Sequence, residues 1–485
     1  MSDSSTARQR RRLNADIAII GAGSGGLVAA SGAAQLGLKV VLFEKGEMGG
    51  DCLNYGCVPS KALIAAARAA EAGRDGHKFG VRFAPPEIEW SAVAAHVRGV
   101  IEEIAPIDSQ ERFESLGVTV IRETARFLDR RTIVSNSVEV RARKIVIATG
   151  ARAFIPPIPG LSDVEHLTNE TVFGLPERPR RLLILGAGAI GLELGQAFAR
   201  LGAEVVIVEA GQMLASADAE ARAIVRARLE SEGVKLLEGT KVLRAARAEG
   251  GVELIVAGAG GEETIAGSHL LVAAGRRPVV EGLDLERAGV AYDAKGVRTD
   301  AHLRTTNRRI WAVGDVAGRE QFTHAAGFHG GLFVRNALFR VSQGRADSTP
   351  LPRVVYTAPE LAEVGLSEAD ARKQFGKRVR AVSAQYDDND RARTERAAEG
   401  FAKLIVGPGG KLLGAAIVGE GAGETIALIQ LAIANKLKIS ALTSPFAPAY
   451  PTRAEIAKRA AGQYYAAALF SKTTRLFVAA ASRVP

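Results

Sequence analysis

The sequence predicts an α/β fold with two Rossmann-like dinucleotide-binding units, and two observations carry that prediction. A strand–glycine loop–helix–strand unit occurs twice. The only two cysteines in 485 residues, Cys52 and Cys57, lie five positions apart just beyond the first copy. The first copy opens on the short apolar run Ala15–Ile20 and continues as Gly21-Ala22-Gly23-Ser24-Gly25-Gly26. An Ala-rich helical stretch to about Leu36 and a second strand, Lys39–Phe43, lead to Glu44. The second copy runs Arg181–Leu185, then Gly186-Ala187-Gly188-Ala189-Ile190-Gly191, a helix to about Arg200, and Glu204–Val208 before Glu209. Both acids stand 23 positions after the first glycine of their loop.

Each position has a physical reason. Gly21 and Gly186 allow the tight turn, and Gly23 and Gly188 let backbone approach a pyrophosphate. Gly26 and Gly191 let helix pack on strand, and the phosphates meet the helix N-terminus. Glu44 and Glu209 are placed to accept hydrogen bonds from adenosine ribose hydroxyls. A lone G-x-G-x-x-G is weak evidence, and glycine turns without a ligand would also produce it. Two copies in full context with matched acids are strong evidence.

The cysteines sit in Gly49-Gly50-Asp51-Cys52-Leu53-Asn54-Tyr55-Gly56-Cys57-Val58-Pro59-Ser60-Lys61. Thiols this close can form and reopen a disulfide across a short loop. A disulfide needs a two-electron carrier beside it, so a flavin and a nicotinamide, FAD and NAD(P), are the natural pair of dinucleotides. Pro59 suits the first turn of a helix that starts near Cys57. A thiolate at that helix N-terminus is stabilised by the dipole and free N–H groups. The bland alternatives are two buried structural thiols and, for Lys61, a solvated helix residue.

Composition bounds the rest. The chain is 47% hydrophobic and 24% charged, with 53 glycines, ordinary for a soluble globular protein of about three domains. Two cysteines exclude a disulfide-rich secreted scaffold, and two Cys with 7 scattered His show no structural zinc spacing. No apolar run of 18 or more residues suggests a membrane span. Residues 1–13 are polar, with Arg8, Arg10, Arg11 and Arg12, and lack the apolar core of a signal peptide. They are expected to be a disordered basic tail, with contact to nucleic acid, an anionic membrane or an acidic partner as the sharper alternative. The net charge of +10 is spread along the chain, so nucleic-acid binding is a minor reading. A cytoplasmic location is expected.

The motifs as a set resemble the class I pyridine nucleotide–disulfide oxidoreductases, and within them the dihydrolipoamide dehydrogenase and mercuric reductase branch. The likeness runs from about Asp16 to about Tyr465. It includes the Gly49–Lys61 stretch, Ala148-Thr149-Gly150, Gly275-Arg276-Arg277-Pro278, Trp311–Val316, Thr323-His324-Ala325-Ala326, Tyr356–Glu360 and Val364-Gly365. It implies an FAD domain over 1–152, an NAD(P) domain over 153–276, a return to the FAD domain over 277–347, and a C-terminal α+β dimerisation domain over 348–485. The active site would be shared across a homodimer. Cys52 would exchange with substrate, Cys57 would face the flavin, and Lys61 would favour the reduced, anionic flavin with Glu193 as its partner. Cofactor contacts would also come from Lys45, Gly50, Asp51, Ala148, Thr149, Gly150, Gly275 and Arg276. Asp315 would contact the ribityl chain, and His324 and Ala325 would lie near the isoalloxazine ring. Glu209 would repel a 2′-phosphate, and no arginine follows in Ala210–Leu214, which favours NAD(H) over NADP(H).

Two places depart from those relatives. Where the family carries a His-Pro-Thr with a later Glu, this chain reads Tyr450-Pro451-Thr452 with Glu455. Tyrosine, ordinarily ionising near ~10, is a weaker base than histidine near ~6.5. That weighs against efficient dihydrolipoamide or glutathione turnover. Tyr450 as plain interface packing is the alternative. Mercuric reductases share a tyrosine there, as well as Phe322–His329 and Asn389–Ala392, but carry a second cysteine pair near the C-terminus. None follows Cys57 here. The leading reading is hydride transfer from NADH to FAD, then electron flow to Cys52–Cys57 and on to a disulfide, a soft metal ion or a quinone. A diaphorase drawing electrons directly from reduced flavin is the second reading. A non-catalytic role of the basic tail is the third.

Overall fold

The computed structural model describes residues 10–339 and 344–482. The chain begins with β1 (Arg11–Ile20), α1 (Ser24–Gln35), β2 (Val40–Phe43), α2 (Gly50–Asn54) and α3 (Cys57–Asp75). Then come α4 (Trp90–Asp108), α5 (Gln110–Ser115), β3 (Val118–Ile121), β4 (Arg126–Phe127), β5 (Thr132–Val134) and β6 (Val138–Ile147). Parallel β3, β2, β1 and β6 form the centre of the first sheet, with β5 and β4 antiparallel at one side. All four residues of β2 and the last four of β1 are buried, as expected for parallel strands covered on both faces.

Strand β7 (Ala151–Ala153) leads to the second unit. It contains β8 (Arg181–Leu185), α6 (Ala189–Arg200), β9 (Glu204–Val208), α7 (Ala219–Ser231) and β10 (Lys235–Leu237). An antiparallel meander of β11 (Lys241–Ala248), β12 (Gly251–Gly258) and β13 (Gly261–Gly267) precedes β14 (His269–Val272). The sheet order β10-β9-β8-β14 is wholly parallel. The chain comes back through β15 (Arg276–Pro278), which pairs antiparallel with β7, so the two crossings form one ribbon. After α8 (Leu285–Ala288), β16 (Tyr292–Asp293) and β17 (Gly296–Val297), strand β18 (Ile310–Ala312) rejoins the first sheet beside β6. Helix α9 (Thr323–Val334) then packs on α1.

The last unit holds β19 (Arg353–Val355), β20 (Glu360–Gly365), α10 (Glu368–Phe375), β21 (Arg380–Gln385), α11 (Asp390–Thr394), β22 (Phe401–Val406) and β23 (Leu412–Gly419). Its strands form an antiparallel sheet in the order β19-β20-β23-β22-β21. Helices α12 (Ala422–Ala434) and α13 (Glu455–Leu469) cover one face, and α14 (Lys472–Ala481) follows. No helix among the described residues is long and apolar enough to cross a membrane.

The two glycine-loop units take the elements the sequence predicts, to within a residue or two at most ends. The exception is the start of β1. The disordered tail expected over 1–13 does not reach that far, because Arg11, Arg12 and Leu13 pair in parallel with Val138, Glu139 and Val140. The long β6 offers backbone partners beyond the apolar run, and Arg12 faces Glu139 at 3.6 Å. Residues 1–9, Arg8 among them, lie outside the described residues.

The core matters to the site at one place. On α3, Leu63, Ala67 and Ala70 recur at helical spacing and are buried with Leu192, Leu194 and Phe198 of α6. Val355 and Leu361 of the last unit join the same cluster. Helix α3, which begins at Cys57, is thereby wedged between the other two units.

Candidate functional site

The two glycine loops have the same geometry. Gly21 has φ +107° and Gly186 φ +109°. A Cβ would lie 2.3 Å from Ala148 O at the first and 2.5 Å from Ala273 O at the second. Glycine is required at both for conformation and for space. Gly26 and Gly191 press equally hard, each with a Cβ position 2.0 Å from the carbonyl of its loop's first glycine. At Gly23 and Gly188, by contrast, a Cβ would meet nothing within 4 Å. These two precede α1 and α6, whose N-termini receive no side-chain cap. Open space, close backbone and uncapped N–H groups form a phosphate cradle, so both loops fit a dinucleotide.

The acids are held alike. Glu44 accepts from the N–H of Ala22 and of Gly46, each at 2.7 Å. Glu209 accepts from the N–H of Ala187 at 2.9 Å and of Gly211 at 2.8 Å. Backbone donors therefore aim each carboxylate across its own loop. Lys45 follows Glu44 in the loop after β2.

The cysteine stretch docks on the first cradle. A Cβ on Gly50 would come within 2.7 Å of Gly23 Cα, and Gly49 forms a bridge with Gly23. Cys57 is the first residue of the 19-residue helix α3, and both cysteines are free thiols. Cys57 Sγ lies 3.2 Å from Thr323 Oγ1 at the start of α9. The hydrogen bond from Cys52, with help from Thr323 and the Lys61 charge, pulls the Cys57 thiol down to about 6 against the opposing effect of burial. Cys52 moves the other way, since its bond to Cys57 and its burial both favour the protonated form. The two shifts favour the proton on Cys52 and the negative charge on Cys57.

One turn on, Lys61 Nζ donates to Glu193 Oε2 at 2.7 Å. Glu193 is buried on α6 and its other oxygen accepts from Tyr356 N at 3.0 Å. On the other side, Asp51 Oδ2 pairs with Arg276 at 3.0 Å, and Arg276 Nε stands 3.5 Å from Asp315 Oδ2. That Nε is buried without a hydrogen-bond partner, and burial raises the Asp315 pKa. Paired charges and one unsatisfied donor beside the cradle suit a polyhydroxyl ligand chain. Ala148 ends the crossing from β6, Thr149 donates to Val279 O at 2.7 Å, and Gly150 has an open Cβ position. Gly275 takes φ +123° immediately before Arg276. His324 bonds Pro352 O at 2.9 Å and burial lowers its pKa, while Ala325 is fully buried.

The C-terminal candidates lie apart from these groups within the chain. Tyr450 is 70% exposed and its hydroxyl donates to Asp390 Oδ2 at 3.1 Å. Glu455 opens α13 and accepts from Thr452 N at 3.3 Å. The acid bonded to Tyr450 is thus Asp390, not Glu455.

Sequence reasoning missed three participants. Asn169 donates to Asp51 Oδ1 at 2.9 Å and belongs to no motif. Tyr356 sits in the quoted Tyr356–Glu360 segment, but its ring lies 4.4 Å from Lys61 Nζ. Asp390 sits in the quoted Asn389–Ala392 segment, where only the fold shows its link to Tyr450.

Comparisons with known proteins give the family. The family signature described as pyridine nucleotide-disulphide oxidoreductase matches residues 15–330, and that of its dimerisation domain matches residues 351–461. This chain belongs to the pyridine nucleotide–disulphide oxidoreductases. Mercuric reductase of Streptomyces lividans is 37% identical over 456 residues, covering 92% of this chain and 95% of that one. Dihydrolipoyl dehydrogenase of Thermus scotoductus is also 37% identical, over 91% of this chain and 95% of its own. Among solved structures, the HOCl-induced flavoprotein disulfide reductase RclA from Escherichia coli superposes with a TM-score of 0.83 at 27% identity, covering 92% and 99% of the two chains. RclA has also been solved as a Cu(II) complex, with a TM-score of 0.82. The protein is a flavoprotein oxidoreductase of this family, it uses FAD, and its dimerisation domain makes it a homodimer.

Proposed function

We propose that the protein carries electrons from NADH, by way of FAD, to the Cys52–Cys57 pair and from there to a thiophilic acceptor. FAD, when bound at the first cradle, supplies the two-electron link between nicotinamide and thiols. The observation that carries the reading is the Cys57 thiol at the head of α3, drawn down to about 6 beside Thr323 and the Lys61–Glu193 pair. Each residue then has a role. Cys57 holds the thiolate that faces the flavin, Cys52 keeps the proton and meets the acceptor, and Lys61 places positive charge at the cradle. Asp51, Arg276 and Asp315 hold the ribityl chain, while Glu44 and Glu209 hold the two adenosine riboses.

The Glu209 carboxylate favours NADH, because its charge repels a 2′-phosphate. A soft metal ion or a disulfide suits a pair of free thiols, and a metal-loaded relative supports the former. A quinone reduced directly from the flavin is the competing acceptor. Tyr450 is assigned to the partner protomer's cysteine site, and cell fractionation tests the expected cytoplasmic location.

The deciding experiment is anaerobic NADH titration followed by a panel of acceptors: dihydrolipoamide, glutathione disulfide, Hg²⁺, Cu²⁺ and quinones. The reading requires a long-wavelength thiolate–flavin absorbance that Cys57→Ser abolishes. It also requires Cys52→Ala to stop reduction of the preferred acceptor. Full turnover by Cys52→Ala would instead establish the diaphorase.

A further inference from the structure

Tyr356 holds both members of the Lys61–Glu193 pair. Its ring lies 4.4 Å from Lys61 Nζ, at cation–π distance. Its backbone N–H donates to Glu193 Oε1, whose partner oxygen accepts from Lys61. Gly423 of α12 lies close to the ring, since a Cβ added there would sit 3.7 Å from Tyr356 Cε1. The segment carrying Tyr356 is clamped to α6 and α3. Gln196 exchanges two hydrogen bonds with the Ala358 backbone, at 2.7 and 2.8 Å. Glu360 accepts from Arg68 at 2.9 Å and from Gly423 N at 3.0 Å.

A lysine on a flexible four-carbon stem, here 36% exposed, does not by itself hold its charge in one place. Glu193 anchors the ammonium from below, and the Tyr356 face restricts its swing. We propose that Tyr356 is a positioning residue that fixes the Lys61 charge against Cys57, so that the dimerisation unit sets the reactivity of a thiolate in the cofactor unit. This rests on the reading of Cys57 as the working thiolate. The charged and titratable groups around the pair are Asp51 and Cys52 on α2, Glu193 on α6, Arg276 on β15, Arg68 farther along α3, and Glu360 and Glu424 behind Tyr356. His324 on α9 has its pKa lowered by burial.

The test reads the thiol directly. In a Cys52→Ala background, the rate of Cys57 alkylation by iodoacetamide is followed against pH in the FAD-loaded protein, with and without Tyr356→Leu and Tyr356→Phe. Loss of a cation–π contact changes a population by roughly two- to thirtyfold, so Tyr356→Leu is expected to raise the midpoint by about 0.3 to 1.5 units. Tyr356→Phe keeps the ring face and should leave the midpoint where Tyr356 has it. An unmoved midpoint in Tyr356→Leu overturns the proposal, and so does an equal shift in Tyr356→Phe. Should Tyr356→Leu fail to fold, Tyr356→Met removes the ring with less change of shape and is judged by the same shift. Because alkylation needs no flavin signal, the result stands even if no long-wavelength absorbance is found, an outcome that overturns only the flavin-facing role of Cys57.

Discussion

Cys57 governs the pH behaviour at the scale of the single residue. Its pKa lies below that of an ordinary thiol, so the thiolate is present above about pH 6 and lost as pH falls through that value. The long-wavelength absorbance of the two-electron-reduced enzyme should fade with that midpoint in a spectrophotometric titration. A midpoint at the free-thiol value, about 8.5, would sink the assignment. Tyr450 has the opposite sense. Its hydrogen bond to the Asp390 carboxylate raises the phenol above its usual value, which makes it a donor rather than a base. Asp390→Asn should therefore lower the Tyr450 pKa, read as the ultraviolet difference between that variant with and without Tyr450→Phe. An unchanged titration would contradict the link. Glu455 was readable as an acid at the expected spacing. That Asp390 reaches the tyrosine instead depends on how the short helix α11 is set against the chain before α13.

At the scale of the element, α7 depends on a single residue for two roles. Asp218 caps it, accepting from Glu220 N at 3.1 Å and Ala221 N at 3.2 Å. The same carboxylate takes Lys403 of β22 at 2.9 Å, and the Asp218 N–H donates to Glu363 of β20 at 2.8 Å. Cap and inter-unit tie are thus one residue. Asp218→Ala should cost about 1–2 kcal/mol from the cap alone, measured by urea unfolding, and leave Lys403 with Glu220. A change within about 0.5 kcal/mol, the usual range for an unengaged surface site, would show that the tie is idle. The strands and helices around both glycine loops were legible because apolar runs and glycine spacings are local signals. The extension of β1 over Arg11–Leu13 was not, since a polar segment becomes a strand only when β6 offers it a partner.

For the whole molecule, the dimer is the relevant unit. If Tyr450 serves the partner's cysteines, Cys52→Ala and Tyr450→Phe protomers should complement each other. Refolded together, they form one site with both groups intact, and acceptor reduction should exceed that of either parent. Tyr450→Phe alone is expected to lower turnover by up to about 10²-fold, the low end for a lost proton-transfer group. Equal activity of the mixture and its better parent would place Tyr450 outside the partner's site. The return of β18 to the first sheet and the β7/β15 ribbon show why the cofactor unit is discontinuous in sequence but continuous in space.

The sequence by itself determined the two dinucleotide loops, their acids, the cysteine pair and the helix that begins at Cys57. All of these are set within a few dozen residues by backbone geometry and periodicity. The tertiary structure alone decided which groups meet them. Cys57 and Thr323 are 266 positions apart, and Lys61 and Glu193 are 132 apart. Glu193 could be named beforehand only through family resemblance, the contact of Tyr356 with Lys61 could not be read from the motif that contains it, and Asn169 could not be named at all. The contacts of Lys61 with Glu193 and Tyr356 follow from the packing of α3 against α6 and the last unit, and that of Cys57 with Thr323 from the placement of α9 beside the start of α3; no local pattern of residues encodes that packing.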